Sequence, residues 1–208
     1  LNKKQKYTFI SLMLASTVAA YAQYQMNVFS IDLITAYQIS ASRFAFLFTA
    51  PMLPAIFLSI PLGKLSDKIG YRNAIQLGLA FTILGLTGRI FAESYSTLWI
   101  CMAFSGASSI TLFVNSARVL EEVVPAEKSV LFMGIYTTAS MLAQTFATAT
   151  SAVLYSTLQK AYVGALVYAV VITVIWAGNY CIEKENDRVN RQVCLGTSHA
   201  DIKQPALL

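Results

Sequence analysis

Gly63-Lys64-Leu65-Ser66-Asp67-Lys68-Ile69-Gly70-Tyr71-Arg72 is a short, charge-dense stretch between two runs that carry no Asp, Glu, Lys or Arg. Those runs cover residues 44–63 and 73–88. A short basic segment between two long apolar ones reads as a turn joining two membrane-crossing helices. Working outward, further uncharged runs cover 7–31, 94–117, 129–159 and 161–182. In chain order the six runs have 25, 20, 16, 24, 31 and 22 residues. A helix needs about 20 predominantly apolar residues to cross a bilayer. The 16-residue run is bounded by Arg72 and Arg89, whose long stems can carry their charges to the interface. The 31-residue run has room for a crossing and a turn. These lengths predict six transmembrane helices over residues 7–182. They do not fit the alternating strands of about 10 residues that build membrane barrels. Residues 183–208 are polar and are expected to form a flexible cytoplasmic tail.

Composition agrees. The 208 residues are 56% hydrophobic and 12% charged, and mean hydropathy is +0.59. Soluble domains carry about 25% charged residues. A soluble enzyme, a disordered chain and a disulfide scaffold are therefore excluded, and the lipid bilayer is the expected surrounding. Cys101, Cys181 and Cys194 form no CxxC pair, and the single histidine, His199, sits in the tail. A structural zinc site needs about four converging ligands, so no metal or cofactor is expected. No HExxH or Walker-type loop is present, and no residues suggest a catalytic triad, so the chain does not read as an enzyme. Net charge is +5, but the basic residues lie between apolar runs without an aromatic-basic patch, so no nucleic-acid partner is expected.

Lys and Arg are unevenly placed. Lys3, Lys4, Lys6, Lys64, Lys68, Arg72, Arg118, Lys128 and the tail fall on one side of a six-helix topology. Only Arg43, Arg89 and Lys160 fall on the other. The positive-inside rule then predicts both termini in the cytoplasm, with the inner (plasma) membrane the expected location. The first run exceeds the apolar segment of a signal peptide, so it is read as a retained span. Ala139, Ala143, Ala147 and Ser151 recur every four residues, and Gly78 and Gly85 share a face, both patterns of close helix packing. Pro51, Pro54 and Pro61 are expected to bend the second helix.

The 63–72 stretch resembles the signature loop of the major facilitator superfamily, G-x-L-a-D-[RK]-x-G-[RKx]-[RK], and lies where that family places it. Ala117-Arg118, Val124-Pro125-Ala126-Glu127-Lys128 and Gly134 look like the family's connection between helices four and five. The resemblance implies an all-α bundle of six membrane helices, a 3+3 inverted repeat, forming half of a twelve-helix fold. It implies a cytoplasmic gate containing Gly63, Asp67, Lys68, Gly70, Arg72 and Arg118, with Asp67 engaging Arg118. Gly63 would let helices approach and Gly70 would supply a tight turn. It also implies a second six-helix bundle as partner, the missing half or a dimer mate, since only the first half is matched. A chain that begins at Leu1 is read as a half-length protein or a fragment. Two features depart from the family. Met102 occupies the place of an arginine linked to proton coupling, and residues 134–154 lack the proline of the exporter subgroup.

Polar residues inside these runs are candidates for a solute path. They are Gln23, Gln25, Asn27 and Asp32 in or near the first helix, Asn115 in the fourth, and Thr137 and Gln144 in the fifth. Polar side chains at membrane depth turn to a cavity or to a neighbouring helix. Arg43 and Arg89, the arginines of the outer side, read as anchors, with attraction of an anionic substrate as the alternative, and Asp32 is the candidate for cation or proton coupling. The leading functional reading is a secondary active transporter moving a small solute by alternating access. The alternative is a non-transporting six-helix accessory protein or a decayed half-transporter.

Overall fold

A computed structural model describes the backbone of residues 3–201 and the side chains of residues 5–181. Every regular element among them is helical. The order is α1 (Lys3–Tyr24), a 3-10 turn (Gln25–Asn27), α2 (Ser30–Ala36), α3 (Ala41–Thr49), α4 (Met52–Ile69), α5 (Tyr71–Ile90), α6 (Tyr95–Val123), α7 (Ala126–Leu154) and α8 (Leu158–Asp201). Lipid offers no partner to a backbone N–H or C=O, and a helix satisfies them all within one segment.

Among the described residues, four segments are long and apolar enough on their own to cross a membrane: Ala41–Ile69, Tyr95–Val123, Ala126–Leu154 and Leu158–Cys181. Helices α1 and α5 have 22 and 20 residues, the length of a crossing, without reaching the same apolarity. The tail expected over 183–208 falls on residues whose side chains lie outside the described residues. The backbone of α8 runs helical through Asp201.

Two of the expected helices are broken. The first run divides at Gln25–Phe29 into α1 and α2, and α2 continues past Asp32 to Ala36. The second divides at Ala50–Pro51 into α3 and α4. Pro51 has no N–H to offer the ladder. It also meets α6 at Gly106, where a Cβ would run into the Pro51 backbone. Pro61 lies inside α4 without ending it.

Helix α6 is the centre of the bundle. Its buried face runs from Leu98 through Ser105, Ser108, Leu112 and Asn115 to Val123. It packs most extensively against α5, and also against α4 and α1. A Cβ at Gly85 of α5 would lie 2.9 Å from the Cys101 carbonyl oxygen of α6. Thr82 and Ser108 hydroxyls join the same two helices at 2.5 Å. Helix α7 packs on α1, with Tyr21 and Thr150 hydroxyls 3.0 Å apart. Its small-residue stripe is buried at Ala147 and Ser151 and half-buried at Ala139 and Ala143.

The apolar core has two parts. The larger joins α1, α5, α6, α7 and α8 through residues such as Leu12, Val18, Leu79, Leu120 and Trp176. The smaller gathers Met26, Leu33, Leu47, Leu98, Met102 and Tyr162 around the helix breaks. Met102 is a fully buried member of that smaller core. Outward-facing Ile56, Phe57, Ile60, Leu131, Leu142 and Phe146 give α4 and α7 an apolar exterior.

Gly106→Ala should separate α4 from α6 at the Pro51 break. Overpacking of this kind costs about 1–3 kcal/mol, so the detergent-solubilised protein should melt several degrees lower. Gly63→Ala should not lower the melting temperature, because nothing lies within 4 Å of a Cβ there.

Candidate functional site

The charge-dense turn is almost entirely helical. Residues 63–69 finish α4, residues 71–72 begin α5, and Gly70 alone makes the reversal, with φ 85° and ψ 142°. A side chain at that φ would be strained, so glycine suits the position. The Gly70 N–H donates to the Ser66 carbonyl at 2.9 Å, and its own carbonyl accepts from Ala74 N–H at 3.0 Å. One residue therefore closes one helix and opens the next. Gly63, read from sequence as a point of close approach, faces open space instead. Lys68 is exposed.

Two ion pairs tie this turn to the end of α6. Arg118 Nη1 lies 2.5 Å from Asp67 Oδ1, joining α6 to α4. Arg72 Nη2 lies 3.0 Å from Glu122 Oε2, joining α5 to α6, and the Tyr71 hydroxyl donates to the same oxygen. Burial, then the adjoining Glu122 carboxylate, pushes the Tyr71 phenol above its usual range, so it stays a donor at neutral pH. Sequence reasoning missed Glu122. The available signal was an acidic pair, Glu121-Glu122, ending an apolar run opposite a basic turn. The Asp67 and Arg118 side chains are 60% and 39% exposed. Exposed pairs contribute about 0–1 kcal/mol, so this contact can form and open at little cost.

Toward the middle of the bundle, α1, α6 and α7 line an open cavity of about 300 Å³. Gln23, Tyr24, Ser109, Thr137, Ser140 and Gln144 supply most of its polar lining, and Phe113 and Met141 part of its apolar lining. Of the sequence candidates, Gln23, Thr137 and Gln144 meet here. Asn27 is exposed on the 3-10 turn. Asp32 lines a different cavity, at the end of the bundle away from Gly70.

Asn115 is 1% exposed and sits at a helix contact, donating to Ser66 Oγ at 3.0 Å and to the Thr111 carbonyl at 2.7 Å. It holds α6 to α4 and does not line the central cavity. Gln25 is fully buried, and neither atom of its amide has a protein partner.

Arg89 departs most from expectation. It does not reach for the interface as an anchor, and is 2% exposed. Nη1 donates to the Ala22 carbonyl and Nη2 to Ser105 Oγ, both at 2.5 Å. The last carbonyls of a helix lack intrahelical partners. Arg89 caps one of them where α1 ends, and its charge lies favourably at a helix C-terminus. Arg43 is exposed. Among the described residues, no group of three His, Cys, Asp or Glu side chains is placed to hold a metal ion.

Long helices with apolar outer faces, joined by a basic turn, define a multi-pass integral membrane protein. A family model for the Major Facilitator Superfamily matches residues 12–192, and the chain belongs to that superfamily of transporters. No match to a curated protein was found.

The exposed Asp67–Arg118 pair makes a quantitative prediction. A double-mutant cycle of Asp67→Asn and Arg118→Gln, read by thermal stability in detergent, should give a coupling of about 0–1 kcal/mol. A coupling of about 3 kcal/mol would mark the pair as a buried strut.

Proposed function

We propose that the chain is a secondary active transporter that moves a small solute by alternating access. The α1–α6–α7 cavity is its share of the solute path. All six apolar runs cross the bilayer as a 3+3 repeat, with both termini and the Gly70 turn on the cytoplasmic side of the inner (plasma) membrane. A second six-helix bundle, from a longer chain or a second copy, closes the open side of the cavity. Alternating access needs two bundles that rock against each other.

The observation that carries this reading is the lining of the central cavity. Gln23, Thr137, Ser140 and Gln144 line one opening beside apolar residues such as Phe113 and Met141, within helices whose outer faces are apolar. Polar groups at membrane depth are costly unless they face a partner or a wet cavity. Amides and hydroxyls suit sugars, amino acids and organic acids alike. The Asp67–Arg118 and Arg72–Glu122 pairs form part of the cytoplasmic gate.

A water-filled path distinguishes neighbouring positions on α7. In a cysteine-free background, Gln144→Cys should react with a hydrophilic thiol reagent, while Leu142→Cys, on the apolar exterior, should not. Function is tested by uptake of labelled glucose, alanine and lactate into liposomes holding the chain alone or as a tandem fusion. Transport by either, abolished by Gln144→Leu, supports the reading. Failure of both to exceed empty vesicles, together with capture of a stable membrane partner that Asp67→Asn weakens, would favour an accessory protein.

A further inference from the structure

Two openings meet along α7, and Glu121 is the only charged residue that lines either of them. The first is the central cavity between α1, α6 and α7, about 300 Å³ in volume. The second is a groove of about 340 Å³ between the end of α6 and the start of α7. It lies toward the Gly70 end, beside the turn at Val124–Pro125. Leu120 and Glu121 stand on its α6 wall, and Val130, Met133 and Gly134 on its α7 wall. Thr137 lines both openings, so they join there. Each volume is within the range of small-molecule sites.

The groove is open because the two helices diverge. Helix α7 packs mainly on α1 and touches α6 little. At Gly134 nothing lies within 4 Å of where a Cβ would stand. Glu121 is exposed and enters no ion pair among the described residues. The adjoining Glu122, by contrast, is held by Arg72 and Tyr71. Glu127 and Lys128, on the first turn of α7, are exposed, opposite in charge and outside the lining. The groove therefore presents one free carboxylate beside apolar side chains.

The central cavity continues that chemistry. Tyr24, half-buried, and Phe113, exposed, lie on its wall. Aromatic faces attract cations. Neither opening offers a Lys or Arg to an anion. A cleft lined by one sign of charge, with apolar walls, concentrates the opposite sign. An organic acid is repelled by Glu121, and a sugar would set its hydroxyls against Leu120, Val130 and Met133.

We propose that the joined opening binds a small organic cation, with its ammonium against Glu121 and its apolar body along Leu120 and Met133 toward Thr137. This assignment rests on the reading of the α1–α6–α7 cavity as a solute path, and it narrows the class of solute that the path carries.

Single cysteines at Thr137 and Gln144, in a cysteine-free full chain in detergent, test it. Each is reacted at low salt with two thiol reagents that differ in charge, trimethylammonioethyl and sulfonatoethyl methanethiosulfonate. Rates are divided by those of a free thiol. A unit charge about 6 Å away in water changes each rate about threefold, in opposite senses, so Thr137→Cys should favour the cationic reagent about tenfold. Adding Glu121→Gln should bring the ratio close to one. The melting temperature should not change, because the carboxylate is exposed and unpaired. Benzyltrimethylammonium should protect both cysteines where benzoate at the same concentration does not. Glu121→Gln should weaken that protection by at least about threefold.

A preference for the cationic reagent that survives in Glu121→Gln would overturn the assignment. So would protection by benzoate as strong as by the cation. Equal rates for the two reagents would overturn it while leaving the cavity as a solute path. Failure of both reagents to modify Gln144→Cys would remove the solute path as well.

Discussion

The close approach of α5 to α6 is the contact on which the rest of the bundle depends. Between helices in lipid there is little hydrophobic driving force, so association rests on close packing and interhelical hydrogen bonds. Gly85 lets the α5 backbone come against the Cys101 carbonyl, and the Thr82–Ser108 hydroxyl pair fixes the register one turn away. With that register set, α6 presents Gly106 to the Pro51 break and Asn115 to Ser66. It also brings Arg118 to Asp67 and Glu122 to Arg72. At the other end, Ser105 meets Arg89 where it caps α1. Both ends of the molecule are thus positioned from one helix.

Polar groups in this setting divide into two kinds. Thr82, Ser108 and Asn115 are buried at helix contacts and bonded there. Gln23 and Gln144 turn to an open cavity. The first kind holds helices in register, and the second leaves amide groups on the cavity wall. The ion pairs at the Gly70 end differ in burial. The Asp67 and Arg118 side chains are well exposed, which makes that pair weak, whereas the Arg72 side chain that meets Glu122 is 15% exposed.

Much of the fold was legible because lipid imposes a simple rule of length and apolarity. The uncharged runs correspond to the helices, and the residues at Gly70 and at Val124–Pro125 mark real turns. The resemblance to the major facilitator signature pairs Asp67 with Arg118, and their side chains lie 2.5 Å apart. What could not be read was tertiary. A run without charges gives no sign that it breaks at Gln25–Phe29, because the break is tied to Arg89 from another helix. Arg89 was read as an anchor from its place at the end of a run, whereas its environment is set by α1 and α6. Asn115 and Gln144 look alike in sequence. Only packing separates the one bonded to Ser66 from the one facing the cavity.

Helix α5, less apolar than α4 and α6, is proposed to cross the bilayer and to place the Gly70 turn and Glu93 on opposite sides. Sided labelling tests it directly. Single cysteines at Lys68 and Glu93, in a cysteine-free chain, are exposed to a membrane-impermeant thiol reagent in right-side-out and inverted vesicles. The account predicts that Lys68→Cys reacts only in inverted vesicles and Glu93→Cys only in right-side-out ones. Labelling of both positions from the same side would show that α5 does not cross, and would contradict the six-crossing bundle together with the two-ended arrangement built on it.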